Sequence, residues 1–234
     1  MSSKNSVTIL YDPISPWSYI ALALLKRNET AWKLDLKLQP AALGYIFQAA
    51  GNRAPLVVRN KGKMMAQEFR LFTDLYNIPV SDKAWTFSME AQQKPPNSLP
   101  LTRFLMVVQQ EESASVLEDV SLKVFHAVFA EGDTDLFAAT ANNDVDRLHS
   151  LVSSSLSKDK VKKYLDKSNT KEFKEYTKNE AKKYVEEWNA YGVPYMQIKR
   201  ARDGKVMHFM GSDRFEVIAA WLGVPYKVSS QSKL

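Results

Sequence analysis

Strand-like patterning is confined to the two ends of this 234-residue chain, and the long stretch between them patterns as helix. Near the front, Val7–Tyr11 is an apolar run stopped by Pro13, Tyr19–Lys26 is a compact apolar helix, and Lys33–Gln39 alternates strictly between leucine and polar residues. Alternation at period two marks a half-buried strand, so residues 6–58 read strand, helix, strand, helix. Such an opening implies a parallel pair joined by a right-handed crossover. Near the back, Tyr195–Arg200 and His208–Met210 flank an Asp203-Gly204 turn and read as a hairpin. Phe215–Leu222 follows as a last helix, with Ser212 or Asp213 expected at its N-cap. The two halves lie far apart in sequence and must pair in space to close one sheet.

The middle, residues 60–188, carries apolar positions at helical spacing. Leu101–Gln109, Val116–Phe129 and Asp144–Val152 are helix candidates, the last opening on an Asp suited to cap it. Lys158–Trp188 is rich in Lys and Glu, with Leu165, Phe173, Tyr176, Ala181, Tyr184 and Trp188 recurring every three, four or so residues. Aromatics among lysines can mark a nucleic-acid surface. Acidic residues are interleaved throughout, so an amphipathic helix with a solvated charged face is expected, and no nucleic-acid partner.

Composition narrows the chemistry. With no Cys, the chain has no thiolate metal site, no cysteine nucleophile and no redox couple of its own. Three scattered His residues make a metal centre unexpected, and none is assigned. A chain of this length buries roughly 70% or more of its unfolded surface and needs no disulfide staple. The net charge of +6 suits anionic ligands but is modest for nucleic acid. No apolar run approaches the ~18 residues of a membrane span. The N-terminus enters a strand pattern directly, so no secretory leader is expected. The chain ends Ser232-Lys233-Leu234 on a polar tail, which reads as a peroxisomal address for an import receptor.

Between the first strand and first helix lies Asp12-Pro13-Ile14-Ser15-Pro16-Trp17-Ser18. A serine there followed by Pro is a strong helix start, and capping alone accounts for it. The same geometry turns the positive end of the helix and free N–H groups toward an incoming anion or thiolate. Thioredoxin-like folds place a Cys-x-x-Cys pair at this junction, where this chain has Ser15-Pro16-Trp17-Ser18.

Together with Tyr11-Asp12, Gly51-Asn52-x-x-Pro55, Lys61-Gly62, Gly192-Val193-Pro194 and Phe209-x-Gly211-Ser212-Asp213-Arg214, this segment resembles kappa-class glutathione transferase. The resemblance is close at both ends and weak across the helical middle. It implies an α/β fold of the DsbA-like branch of the thioredoxin superfamily, a sheet domain interrupted by an all-helical insertion. Residues 1–59 and 189–228 would form the sheet domain, 60–188 the insertion, and 229–234 the targeting tail.

The resemblance further implies a transferase in which an activated glutathione thiolate attacks small electrophiles or hydroperoxides, within a homodimer. Glutathione is then a co-substrate, and no other cofactor is implied. Ser15 matches the catalytic serine, and Pro16 and Trp17 the backbone that approaches the ligand, where Tyr is more usual than Trp17. Asn52 and Lys61 match the residues that hold the glycyl end. Val193, before an expected cis Pro194, offers its backbone to the cysteinyl part, and Ser212 and Asp213 match the γ-glutamyl pair. Taken singly, Lys61 is also an ordinary loop charge, Asp213 a cap and Asn52 a turn residue. Two other functions share the pattern: a glutathione-dependent isomerase of the 2-hydroxychromene-2-carboxylate type, and a non-catalytic glutathione or ligand carrier. Disulfide exchange does not, for want of Cys.

Overall fold

Strand β1 (Asn5–Tyr11) sits inside the sheet, and Val7, Ile9, Leu10 and Tyr11 are wholly buried. It pairs in parallel with β2 (Leu34–Pro40) and antiparallel with β3 (Tyr195–Lys199), which pairs antiparallel with β4 (Val206–Met210). The order is β2-β1-β3-β4, so the front and back halves meet between β1 and β3, with Val7 opposite Ile198 and Ile9 opposite Met196. The computed structural model describes residues 4–86 and 95–227. The Ser232-Lys233-Leu234 tripeptide lies outside them.

Helix α1 (Pro16–Asn28) makes the crossover between the parallel strands, and α2 (Leu43–Ala49) follows β2. A 3-10 turn (Pro55–Val57) then leads into α3 (Arg59–Leu75), so Lys61-Gly62 lies in the first turns of a helix and not in a loop. Helices α4 (Leu99–Glu111), α5 (Ala114–Phe125), α6 (Asp135–Ala141) and α7 (Val145–Val152) come next. The α5 helix runs on as a π-helical turn, His126–Glu131, and Asp144 caps α7 as expected, accepting the Arg147 N–H at 3.0 Å. Every residue from Pro100 to Val108 is buried, so α4 is the apolar axis of this layer. Sheet and helices share a main core, and a smaller separate cluster that includes Leu10, Ile46, Tyr184 and Tyr195 joins the sheet to α2 and to the helix that carries Tyr184. Tyr11 on β1 exchanges a 2.6 Å hydroxyl hydrogen bond with Ser121 on α5.

The single helix expected over Lys158–Trp188 is two: α8 (Lys158–Asn169) and α9 (Lys171–Trp188). Thr170 breaks it. Its backbone is extended and its hydroxyl accepts the Phe173 N–H at 3.2 Å, which is worth more at a cap than a β-branched residue is worth inside a helix. The buried Arg103 side chain meets the exposed end of α8, donating to the Ser168 carbonyl at 2.8 Å. Leu165, Phe173, Ala181 and Tyr184 are buried, and lysines such as Lys162 and Lys182 stay exposed in i,i+4 ion pairs, as an amphipathic reading requires. Among the described residues no helix is long and apolar enough to cross a membrane. The last helix, α10 (Phe215–Leu222), begins one residue after its N-cap, Arg214. Neither Ser212 nor Asp213 caps it.

Candidate active site

Three carbonyls on the loop entering β3 gather segments that are far apart in sequence. The Val193–Pro194 bond is cis, as the resemblance implied. Asn52 Nδ2 donates to the Tyr191 carbonyl at 2.6 Å, the Ser15 hydroxyl to the Val193 carbonyl at 3.4 Å, and the Gly211 N–H to the Pro194 carbonyl at 3.0 Å. The loops carrying Ser15, Asn52 and Ser212-Asp213 are thereby tied to one hub.

Ser15 is buried at the N-cap of α1, where its Oγ accepts the Ser18 N–H at 3.1 Å and Pro16 occupies the next position. Its 3.4 Å contact with Val193 is well beyond the ~2.7–2.8 Å of a good O–H···O bond, so the hydroxyl proton is only weakly committed. An anion arriving at this helix end meets both that proton and the positive pole of α1.

Beneath Ser15 lies Asp12, fully buried. Its carboxylate accepts the Ile14 N–H at 3.0 Å and the Leu43 N–H at 2.9 Å, and takes further hydrogen bonds from Ser98 and Thr102. One side chain thus fastens the Ser15 loop to α2 and to the start of α4. Burial pushes its pKa up, outweighing the four donors that pull it down. A carboxyl raised above its unfolded value of about 3.9 binds its proton more tightly when folded, so its contribution to stability is lost as pH rises through the raised value. The stability of the native protein relative to Asp12→Asn should therefore decline as pH rises above about 4. Denaturant midpoints of both proteins across that range check this, and a flat difference would return Asp12 to an ordinary carboxylate.

Two cavities flank Trp17. One, of about 400 Å³, is lined by Lys61, Glu68, Ser212 and Asp213 together with Met64, Met65 and Phe72. The other, of about 380 Å³, is lined by Ser15, Asn52, Arg53, Val193 and apolar side chains including Leu43, Phe47 and Met210. Trp17, Pro55, Lys61 and Met65 belong to both. Trp17 is held in place by edge contacts to Phe69 and Phe72 of α3, at 6.3 and 5.7 Å between ring centroids.

Ser212 is buried, and its hydroxyl has no hydrogen-bond partner among the described residues. Next to it, Asp213 is exposed, with Oδ2 on Arg214 Nη1 at 2.5 Å. Gly211 has φ +91°, and a Cβ there would stand 2.5 Å from Asp213 Oδ1, so the carboxylate folds back over the glycine. Lys61 is exposed at the junction of the two cavities.

Every residue assigned from the motifs thus lines one of the two cavities or, for Pro194, the hub between them. Sequence reasoning gave Asp12 no role and found none of the α3 residues beyond Lys61. The signal for α3 was present: Lys61, Met65, Glu68 and Phe72 are spaced four, three and four apart, one face of a helix.

Known proteins resemble this chain in sequence and in fold. A glutathione S-transferase kappa 1 of Rattus norvegicus is 28% identical over 226 residues, covering 92% of this chain and 89% of its own length. The Homo sapiens protein of that name is 27% identical over 94% of this chain and 91% of its own. The solved structure of a 2-hydroxychromene-2-carboxylate isomerase superposes with a TM-score of 0.69 at 19% identity, over 93% of this chain and 94% of that one. The model of the DSBA-like thioredoxin domain matches residues 6–223, spanning both sheet halves and the helices between them. The chain belongs to the DsbA-like thioredoxin domain family.

Proposed function

We propose that this chain is a glutathione transferase of the kappa type, which activates the thiol of glutathione for attack on a small electrophile or a hydroperoxide. The observation that carries this reading is the buried, unpartnered Ser212 hydroxyl on a cavity that Asp213 and Lys61 also line. A buried polar group without a partner costs about 1–3 kcal/mol, so such a site is built for a polar ligand. Glutathione has two carboxylates and one ammonium. Asp213 suits the ammonium, the Ser212 hydroxyl the neighbouring carboxylate, and Lys61 the glycyl carboxylate at the other end. Asn52 has one amide proton beyond that on Tyr191, and it can join Lys61. The relatives named glutathione S-transferase kappa 1, aligned over most of the chain, support the same reading.

On this reading the tripeptide bridges the two cavities across Trp17 and Lys61, which line both, and its central cysteine sits against Val193 and Ser15. There the Ser15 hydroxyl donates to the sulfur and favours the thiolate, the thiol proton passing to water. On an electrophilic carbon, a C–S bond forms as the leaving group departs with its electron pair. On a hydroperoxide, sulfur takes the terminal oxygen as the O–O bond breaks, leaving an alcohol and a sulfenic acid that a second glutathione converts to disulfide and water. Ser15 and Ser18 cannot themselves cycle between dithiol and disulfide.

Native mass spectrometry after incubation with glutathione should show one tripeptide bound per chain. Turnover of a chlorodinitrobenzene should consume one glutathione per electrophile. Absence of the mass shift would overturn the reading. Glutathione recovered unchanged from a productive reaction would point to an isomerase, and binding without turnover of any electrophile to a carrier.

Gly211→Ala tests the γ-glutamyl end without touching a polar group. Its left-handed φ is strained for alanine, and the new Cβ must push the Asp213 carboxylate aside. Glutathione Kd should rise at least fivefold, with a loss of stability of about 1 kcal/mol. Calorimetric titration reads the first and thermal unfolding the second. An unchanged Kd would mean that the placement of Asp213 is unimportant.

A further inference from the structure

The two cavities differ in charge. The one containing Ser212 holds Asp213 and Glu68 against Lys61, a mixed set matched to a ligand end bearing both signs. The one containing Ser15 has no carboxylate among its described lining residues, and its charged groups are Arg53 and Lys61. Its remaining wall is mostly apolar, including Ile14, Leu43, Phe47 and Met210.

Arg53 is set there by its backbone. Asn52 Oδ1 accepts the Arg53 N–H at 2.8 Å while Asn52 Nδ2 holds the Tyr191 carbonyl, so Arg53 is anchored to the same loop that carries Val193. The Arg53 side chain makes no ion pair or hydrogen bond among the described residues, whereas those of Arg70, Arg147, Arg200 and Arg214 are all paired with aspartate. A planar guanidinium on an acid-free apolar cavity selects an anion that presents two oxygens, and a carboxylate fits. Lys61, at the junction, already has the glycyl carboxylate of glutathione to hold.

We infer that the second substrate is an apolar electrophile bearing a carboxylate, and that Arg53 is the residue that selects it. This rests on the transferase reading for its chemistry but not for its binding test. The experiment compares the native protein with Arg53→Gln, which keeps the backbone N–H and most of the stem but removes the charge. The acceptors are a chloronitrobenzoate and its methyl ester, which share one reactive carbon. With each kcat/KM divided by the rate constant of the same acceptor with free glutathione thiolate, because an ester activates the ring more than a carboxylate does, the native protein should prefer the acid by about tenfold, the scale of one charge-assisted contact, and the variant should bring that ratio close to one. Glutathione Kd, titrated without acceptor, should move less than twofold.

Equal normalised kcat/KM for acid and ester in the native protein would overturn the proposal. So would an Arg53→Gln variant that weakens glutathione several-fold with the acid-to-ester ratio intact, because Arg53 would then belong to the tripeptide. If neither electrophile reacts, the transferase reading fails by itself. Calorimetric binding of the unreactive nitrobenzoate and its ester to both proteins still decides on Arg53: preference for the acid lost in the variant supports the anion site, and absence of preference in the native protein overturns it.

Discussion

Replacing Ser15 with alanine should raise the pKa of the bound glutathione thiol by one unit or more and lower kcat at neutral pH about tenfold, while glutathione itself still binds. A free thiol titrates near ~8.5, so only a few per cent is thiolate at pH ~7. Lowering that value by about two units requires roughly 2.7 kcal/mol of preference for the anion. The N-terminus of α1 contributes typically about 0.3–1 kcal/mol, and about 2 in the best partly buried geometries. A hydroxyl donating to a charged sulfur adds about 1.5–3 kcal/mol, and the long 3.4 Å contact to Val193 leaves the Ser15 proton little to give up. The sum meets the requirement, and removing the serine leaves the helix end alone. The variant also loses the cap on the Ser18 N–H, costing about 1 kcal/mol of stability. Ser15→Thr keeps cap and hydroxyl and should restore both properties. Activity of Ser15→Ala should partly recover as pH rises, because hydroxide then makes the thiolate the serine had favoured. Thiolate absorbance of the bound tripeptide, titrated in both proteins, is the measurement. Coincident curves would leave Ser15 a helix cap and put the activating group elsewhere.

Why Ser15 was legible in the sequence while its hydrogen bonds were not is a matter of what side-chain identity encodes. Leucine alternation through Leu34, Leu36 and Leu38 announces a half-buried strand because only one face of β2 is covered. Ser15-Pro16 announces a helix start because cap and missing N–H both act locally. The hub of the site is made of carbonyls of Tyr191, Val193 and Pro194, and every residue has a carbonyl, so their bonds to Asn52, Ser15 and Gly211 leave no mark in side-chain identity, and Val193 and Pro194 were reached only through the resemblance. The break at Thr170 was written in Ser168-Asn169-Thr170, three residues that each disfavour a helix interior, but periodicity across it outweighed them in the reading. Ser212 was read both as a cap and, through the resemblance, as a ligand-binding residue, for an instructive reason. Cap residues and ligand-binding residues are drawn from the same short polar set, and the two roles separate only when the partner of the hydroxyl is known. Among the described residues the Ser212 hydroxyl has no partner and Arg214 takes the cap position, so the structure removes the capping reading, which the sequence could not do.

Removing the Asp213 carboxylate should then cost more glutathione affinity than any other single change in the γ-glutamyl end. Its present partner is weak competition. The Asp213–Arg214 pair is about half exposed on each side, at 49% and 53%, and exposed pairs are worth about 0–1 kcal/mol. An ammonium held between Asp213 and the cavity wall is largely desolvated, and a charge-assisted contact of that kind is worth about 1.5–3 kcal/mol. Asp213→Ala should accordingly raise the glutathione Kd roughly tenfold to over a hundredfold. Lost packing or a shifted loop could weaken binding as well, so the decisive comparison uses a second ligand, the tripeptide analogue in which a glutaryl group replaces γ-glutamyl, which lacks the ammonium and keeps the carboxylate. The native protein should prefer glutathione to this analogue strongly. In Asp213→Ala much of that preference should vanish, since an ammonium facing no carboxylate gains nothing and pays its desolvation. Equal weakening of both ligands by the substitution would instead make Asp213 a structural support of the Gly211 turn, with the ammonium bound by some other acid.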